Sequence, residues 1–183
     1  GHSAAILNTD VPNAARPAMI DDLLAFSKLG RKQVTVSEIL MNDLIQSVRD
    51  ELTFDEGDNI PLFDVQSLPS AKGDKSLIKQ VWINLISNAI KYNDKETTEI
   101  NISFDEDQKQ IAITDNGPGI PENQSEKIFQ MFYTLGQASR GESGTGMGLN
   151  LVRKLAERND VKVYHNSQYK NGSQFIISDL KTS

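Results

Sequence analysis

The chain has 183 residues and no cysteine, a length typical of one globular domain with a short extension. Without cysteine, the chain can form neither a disulfide framework nor a zinc–thiolate site, and it has no thiol nucleophile. The 19 basic and 25 acidic residues give a net charge of −6, which argues against a general nucleic-acid binder. No apolar run approaches the roughly 20 residues of a membrane-spanning helix. We therefore expect no nucleic-acid partner and no membrane contact by this chain.

The first 33 residues are predicted to precede the main domain. Residues 1–17 begin with Gly-His-Ser and show little apolar periodicity, so we expect a tag remnant followed by an irregular lead-in. Over residues 18–30, apolar side chains recur at helical spacing, which predicts a short helix that ends at Gly30. Polar residues 31–33 separate this helix from a main domain over 34–183.

Within the main domain, the spacing of apolar residues predicts strand, helix, strand, helix, two strands, a long loop, helix and two strands. The predicted strands are 34–39, 59–65, 98–104, 109–114, 161–165 and 173–178, and the predicted helices are 41–54, 75–92 and 147–158. Turn residues at 105–108 and at Asn171-Gly172 predict two hairpins. Hairpins among helices indicate an α+β two-layer sandwich, with a mixed, mostly antiparallel sheet against one layer of helices.

Helix 75–92 carries a polar stripe beside its apolar face. Asn84, Asn88 and Lys91 follow each other at i, i+4 and i+7, which places them within an arc of about 60°. A solvated helix face is the simpler explanation, but asparagine is a poor helix former and a surface has better choices. Amide oxygens suit a hard cation such as Mg²⁺, and lysine suits a phosphate.

Two glycine-containing segments are the other candidates for chemistry. Asp115 directly follows an apolar strand and is followed by two glycines, so its carboxylate would lie where the backbone can approach a ligand closely. A simple turn also explains this segment. Further along, three glycines lie before and at the start of helix 147–158 and would leave amides free for a phosphate at its N-terminus, although a flexible loop fits equally well. These glycines are Gly144, Gly146 and Gly148.

Taken in order, these motifs resemble the ATP-binding domain shared by sensor histidine kinases, DNA gyrase, Hsp90 and MutL. The segments similar to its N, G1, F and G2 boxes are NLISNAIKY (84–92), DNGPGI (115–120), EKIFQMF (126–132) and GTGMGL (144–149). The resemblance covers roughly residues 34–179 and implies the Bergerat-type fold. Residues 18–33 resemble the last part of the dimerisation helix of a histidine kinase.

The resemblance implies ATP and Mg²⁺ as cofactors. It makes Asn88 the magnesium ligand, Asn84 and Lys91 the catalytic residues, Tyr92 a packing surface for adenine or ribose, and Asp115 the acceptor for the adenine amino group. The other cofactor-binding positions that it implies are Gly117, Gly119, Ile120, Phe132, Arg140, Gly144, Thr145, Gly146, Met147, Gly148 and Leu149.

Residues 121–145 are expected to form a lid over ATP, anchored by Phe129 and Phe132. The basic residue that often neighbours the second phenylalanine is replaced by Met131, and Arg140 is a candidate to supply the missing phosphate contact. Two glycines often follow the G2 helix in this family, whereas Asn159-Asp160 stand here. Asparagine tolerates the left-handed conformation that a helix end requires.

The implied function is to bind Mg-ATP and, in a longer protein, to transfer the γ-phosphoryl group to a histidine. Hydrolysing relatives carry a glutamate where Asn84 stands, and a carboxamide cannot accept a proton from water at neutral pH. Neither His2 nor His165, which we expect on a sheet surface, has the acidic neighbour of a phosphoacceptor. We therefore expect the phosphoacceptor to lie outside this chain.

The expected partners are the dimerisation and phosphoacceptor domain of the parent kinase and a response regulator. This chain is expected to be a monomer, and the parent kinase a homodimer. The catalytic domain is expected in the cytoplasm, whether or not the parent is anchored to a membrane. Two alternatives remain open at this point: a Ser/Thr protein kinase of the anti-sigma-factor type, and a nucleotide-binding scaffold without transfer activity.

Overall fold

The computed structural model describes residue 24 and residues 27–54, 57–130 and 148–182. Besides a helical segment that includes residues 24 and 27–31, its helices are α1 (Met41–Glu51), α2 (Lys75–Lys91) and α3 (Gly148–Arg158). Its strands are β1 (Val36–Ile39), β2 (Leu62–Val65), β3 (Ala71–Asp74), β4 (Glu99–Asp105), β5 (Gln110–Asp115), β6 (Lys162–His165), β7 (Ser173–Ser178) and β8 (Lys181–Thr182). Two short 3₁₀ turns, Glu122–Gln124 and Lys127–Phe129, follow β5.

The strands form two sheets. The larger has the order β2-β4-β5-β7-β6, in which only the β2–β4 pair is parallel. The smaller is antiparallel, with the order β1-β3-β8. The predicted α+β class is confirmed, as are both predicted hairpins, β4–β5 and β6–β7. The strands missing from the prediction, β3 and β8, both belong to the small sheet.

One face of the large sheet packs against the helices. Alternate residues of β4 and β5, among them Ile102 and Ile111, are fully buried because successive side chains of a strand point to opposite faces. They join the apolar faces of the helices in one core that includes Trp82 and Leu155. The other face carries mainly polar side chains, so the sheet has one apolar, buried face and one mainly polar face.

Local hydrogen bonds set the ends of these elements. Asp74 is the N-cap of α2, where its side chain accepts from the amides of Ser76 and Leu77, which satisfies free N–H groups of the first turn. Helix α2 ends at Lys91, one residue before the predicted end, and α1 ends at Glu51 rather than at residue 54.

Two sequence expectations lie outside the described residues, the irregular lead-in 1–17 wholly and the helix 18–30 in part. Of the predicted helix 18–30, the described residues 24 and 27–30 are helical, and the helix extends to residue 31. After α3, the left-handed residue is Asp160, with a φ of 56°, and not Asn159 as expected. The reason is that the buried side chain of Asn159 is bonded to the backbone of Asp74 and Leu155. In the described part of the chain, every helix is too short or too polar to cross a membrane.

Candidate functional site

The polar stripe of α2 lies against the N-terminus of α3. Asn84 donates its side-chain amide to the carbonyl oxygen of Gly148 at 3.1 Å, and its own oxygen accepts from Gln80 at 3.0 Å. One turn further, Asn88 faces the same glycine, because a Cβ atom placed on Gly148 would lie 3.9 Å from both amide atoms of Asn88. The structure thus brings together the asparagines of one motif and the first helical residue of another, 60 positions away.

The two asparagines differ in what their side chains can still bind. Both polar atoms of Asn84 are engaged within the protein. Asn88 is half-buried, and its side chain makes no hydrogen bond to another residue in the described ranges. Its amide oxygen thus has no hydrogen-bond donor among the described residues, and an amide oxygen is a group that can coordinate a hard cation. Lys91 ends α2 and Tyr92 caps it, and burial raises the pKa of the half-exposed Tyr92 hydroxyl.

At the end of β5, Asp115 lies on the same sheet face as the buried Ile111 and Ile113. Its Oδ1 accepts from the amide of Gly117 at 2.8 Å and from the amide of Ser173 at 3.2 Å. Its Oδ2 accepts no hydrogen bond from any residue that the structure describes. Burial raises the pKa of Asp115, against the opposing effect of the two amide donors. One carboxylate oxygen is thus fixed, and the other can accept a donor from a ligand.

The turn after Asp115 lies directly on the C-terminal end of α2. A Cβ atom on Gly117 would lie 3.5 Å from the carbonyl oxygen of Tyr92. On the other side, a Cβ atom on Gly172 would lie 1.8 Å from the carbonyl oxygen of Asp115, so only glycine fits there. Gly119 has a φ of 83°, a conformation that glycine adopts without strain. The turn that follows Asp115 therefore packs against the C-terminal end of the helix that carries the asparagines.

A pair of asparagines that the sequence analysis did not select connects these two segments. Asn93 is buried, and its side-chain amide donates to the Oδ1 of Asn116 at 2.7 Å. That oxygen also accepts from the amide of Glu99, and the Asn116 amide donates to the carbonyl of Thr97. Asparagine is common in turns, and no feature of the sequence pairs two turn residues 23 positions apart.

The described beginning of the expected lid is anchored to α3. Phe129 is buried, its ring packs edge-on to Phe175 with centroids 6.1 Å apart, and the Arg153 guanidinium lies 3.8 Å over it. Arg153 also pairs with Glu126 at 3.0 Å, and Asn150 donates to the carbonyl of Phe129. The predicted anchoring by Phe129 therefore agrees with the structure. The predicted residues Met131, Phe132, Arg140, Gly144, Thr145, Gly146 and Met147 lie outside the described residues.

Ile120 and Leu149, the last residues of their motifs, are partly buried against the core. His165 is also buried, which corrects the expectation of a surface histidine. Its Nδ1 lies 2.7 Å from the hydroxyl of Ser125, and its buried Nε2 has no hydrogen-bond partner in the described part of the chain. Burial lowers the pKa of His165, as does the nearby charge of Lys170. This histidine is a packing residue beneath the start of the lid.

A cavity of about 260 Å³ lies on the polar face of the large sheet, and Asp115 and Asn116 are among its lining residues. It is lined mainly by Leu62, Asp64, Glu99, Asn101, Thr114 and Tyr169. The two additional carboxylates would repel a phosphate. Asn84, Asn88 and Gly148 lie together on the helix side of the sheet instead.

Comparison with known proteins identifies the family. Residues 73–182 match the family described as histidine kinase-, DNA gyrase B-, and HSP90-like ATPase. Because this match covers more than half of the chain, the chain belongs to that family, and it is an ATP-binding domain. The resemblance that the four boxes indicated is confirmed.

The curated relatives include a phytochrome and a sensory kinase. Cyanobacterial phytochrome B of a Nostoc species is 35% identical over 164 residues, which cover 87% of this chain and 22% of that protein. The adaptive-response sensory kinase SasA of Crocosphaera subtropica is 35% identical over 167 residues, covering 86% of this chain and 43% of SasA. The chain thus spans less than half the length of the curated relatives it matches.

Solved structures show the same fold. The nucleotide-free catalytic domain of histidine kinase ThkA is 32% identical, with a TM-score of 0.63, over 81% of this chain and 97% of that domain. ThkA in complex with the response regulator protein TrrA is 26% identical, with a TM-score of 0.67, over 92% of this chain and 48% of the matched chain. The fold is that of histidine kinase catalytic domains.

Proposed function

We propose that this chain binds ATP together with Mg²⁺ between α2, the turn 115–120 and the N-terminus of α3. In a longer protein, the bound ATP would donate its γ-phosphoryl group to a histidine of a dimerisation domain. The observation that carries this proposal is the hydrogen bonding of the Asp115 carboxylate. One of its oxygens is fixed by two backbone amides, and the other accepts no bond from the described residues, on a turn that packs against α2.

The end of the site near Asp115 would bind the purine. The Oδ2 of Asp115 would accept a hydrogen bond from the adenine amino group, whereas guanine presents a carbonyl oxygen there and would be repelled. Tyr92 and Ile120 would pack on the adenine or the ribose. Gly117 and Gly119 carry no side chain that would keep the base away from the backbone.

The end near Gly148 would bind the phosphates. The amide oxygen of Asn88 fits Mg²⁺, which prefers oxygen ligands and keeps several waters. In the described ranges, no three His, Asp or Glu side chains come together as a competing metal site. Lys91 and the first amides of α3, at Gly148 and Leu149, would bind phosphate oxygens. Bound Mg²⁺ would neutralise charge that develops on the phosphates.

Residues outside the described ranges would complete the phosphate end. We propose that Phe132 helps to anchor the lid and that Arg140 contacts a phosphate in place of the basic residue absent at Met131. The loop glycines and their neighbours would wrap the phosphates through backbone amides; these are Gly144, Thr145, Gly146 and Met147.

The chemistry at Asn84 favours transfer over hydrolysis. Its amide oxygen accepts from Gln80 and its nitrogen donates to Gly148, so the side chain holds α2 and α3 in register. A carboxamide takes no proton from water at neutral pH, and no water is activated at this position. Catalysis by this chain would therefore consist of positioning and charge neutralisation, in which Asn84 and Lys91 take part.

The parent protein is inferred by analogy. We propose that residues 18–33 are the end of its dimerisation helix, that residues 34–183 are its catalytic domain, and that the parent is a homodimer. A response regulator would then receive the phosphoryl group, because the related ThkA is known in complex with one. We place the domain in the cytoplasm, where ATP is supplied.

Calorimetric titration tests the binding step. A non-hydrolysable ATP analogue should bind with a stoichiometry of one, more tightly with Mg²⁺ than without, and in preference to the matching GTP analogue. Asp64→Asn on the polar sheet face serves as a matched control for substitutions of Asp115. Absence of binding by the unaltered chain would refute the proposal.

Acid treatment tests the transfer step. The chain is mixed with radiolabelled ATP and the parent's dimerisation domain, and the labelled product is exposed to acid. Phosphohistidine is lost in acid, whereas phosphoserine survives. An acid-stable product would indicate a Ser/Thr kinase, and no product beside intact ATP binding would indicate a scaffold.

A further inference from the structure

The segment that precedes the catalytic domain is held by side chains from two different helices. Arg158, at the end of α3, donates to the carbonyl oxygen of Leu29 at 2.7 Å and also to that of Lys32. At the start of α2, the Oδ2 of Asp74 accepts from the Lys32 ammonium at 2.5 Å and from the amide of Thr35 at 2.8 Å. Both ends of residues 29–35 are therefore bonded to the domain.

Asp74 is an unusual partner for a lysine because its carboxylate is almost entirely buried, with 1% of the residue exposed. Burial raises its pKa, but the hydrogen bonds from Lys32, Thr35, Ser76 and Leu77 outweigh that effect and hold the pKa far below the usual range. The carboxylate is thus charged at neutral pH. The Lys32 side chain is 36% exposed and that of Asp74 only 2%, so loss of the lysine would leave a buried carboxylate with neutral donors alone, which destabilises it.

The same two helices carry the proposed nucleotide site at their other ends. Asp74 lies about 21 Å along α2 from Asn88, and Arg158 lies about 15 Å along α3 from Gly148, at 1.5 Å per residue. Asn159 connects the near ends, since its oxygen accepts from the amide of Asp74 at 2.7 Å and its nitrogen donates to the carbonyl of Leu155. Segment 29–35 is therefore joined to the nucleotide site through two packed helices.

We propose that Lys32, Asp74 and Arg158 form a latch that holds segment 29–35 in one orientation against the catalytic domain. The latch closes through the Lys32–Asp74 ion pair and the two bonds from Arg158, and it opens when these bonds break while Asp74 continues to cap α2. This part of the inference does not depend on nucleotide binding. Its consequence, that the latch sets where the γ-phosphate lies relative to the preceding helix, rests on the proposed function.

Distance measurement between two spin labels tests the latch. The chain has no cysteine, so Ser27→Cys and Glu106→Cys give two unique sites, one on the helical segment and one on the exposed β4–β5 turn. Pulsed electron paramagnetic resonance should report one narrow distance distribution for this labelled chain. Lys32→Met combined with Arg158→Met should broaden it at least twofold, because both side chains keep their apolar length but lose their bonds to the latch.

Three controls make the result decisive. Lys32→Arg preserves the charge and should keep the distribution narrow. Lys79→Met removes the ion pair between α2 and Glu51 at the end of α1 and should also leave the distribution narrow. Affinity for the ATP analogue should stay within twofold in every variant, which shows that the domain remains folded.

Two results would overturn the latch: a broad distribution in the chain with the latch intact, or equal widths in that chain and the double variant. The unaltered chain and all variants could fail to bind the ATP analogue while the chain with the latch intact still gives a narrow distance distribution. That result would refute the proposed function but not the latch. If the double variant does not fold, Lys32→Met alone gives the same comparison.

Discussion

Replacing Asp115 by asparagine separates ligand binding from stability at this site. The two amides of Gly117 and Ser173 require an acceptor at the position of Oδ1, so the new carboxamide must direct its oxygen there. Its NH₂ group then takes the position of Oδ2, where it meets the amino group of adenine donor to donor. The substitution changes few atoms but reverses the hydrogen-bonding character of the open position.

The expected loss of affinity follows from the bond that is removed. A hydrogen bond to a charged group contributes about 2 kcal/mol, which corresponds to a dissociation constant about 30-fold higher. The carbonyl oxygen of guanine could accept from the new NH₂ group, so the preference for ATP over GTP should shrink by more than the loss for ATP alone. Isothermal titration calorimetry with both analogues measures this.

The stability of the ligand-free domain should change in the opposite direction. Burial raises the folded-state pKa of Asp115, so the folded protein binds this proton more tightly than the unfolded chain does. The ionised side chain therefore lowers stability above the folded pKa, and that penalty disappears as the pH falls towards the unfolded value. Asp115→Asn removes the penalty, and its melting temperature at pH 7 should equal or exceed that of the unaltered chain.

Asp64→Asn on the polar sheet face should alter neither quantity. Unchanged ATP affinity in Asp115→Asn would refute the role of Asp115. A parallel fall in affinity and melting temperature would show that the substitution damages the fold and that the ionised Asp115 does not lower stability.

Three further predictions concern residues around the site. Gly172→Ala places a methyl group against the carbonyl of Asp115. It should lower the free energy of unfolding by about 1–3 kcal/mol and weaken ATP binding. An unchanged free energy of unfolding in urea denaturation would contradict the close approach. Arg153→Met should raise hydrogen exchange around Phe129 and lower stability by about 1 kcal/mol, whereas unchanged exchange would show that the contact is dispensable. The pKa of His165 is lowered in the folded protein, so its contribution to the free energy of unfolding is fully present above the unfolded pKa of 6.5 and is lost as the pH falls below that value. His165→Phe should therefore make the free energy of unfolding, measured by urea denaturation, less dependent on pH below 6.5. An identical pH profile would show that His165 does not cause this dependence.

The sequence predicted those parts of the fold that depend on local pattern. Helix α2 has seven buried apolar residues at helical spacing, and β4 and β5 alternate cleanly around a turn of polar residues. The ends of all three elements were therefore predicted to within two residues. The burial of His165 was missed, although the pattern indicates it. His165 lies two and four residues after the apolar Val163 and Val161, on the same face of the strand.

The elements that were missed depend on contacts between distant residues. Strand β3, with the sequence AKGD, has one apolar residue and pairs with β1 more than 30 positions earlier. Strand β8 has two residues. Likewise, the Asn93–Asn116 bond and the packing of Gly172 on Asp115 join segments that only the folded topology brings together.

The most direct test of the whole account is a nuclear magnetic resonance titration that observes both ends of the site in one sample. The reporters are the side-chain amide of Asn88 and the backbone amides of Leu149, Gly117 and Ser173. The account predicts that a non-hydrolysable ATP analogue with Mg²⁺ shifts all four with one dissociation constant, and that adenosine alone shifts only Gly117 and Ser173. Shifts confined to one end, or two different dissociation constants, would contradict the claim that the two segments bind one nucleotide.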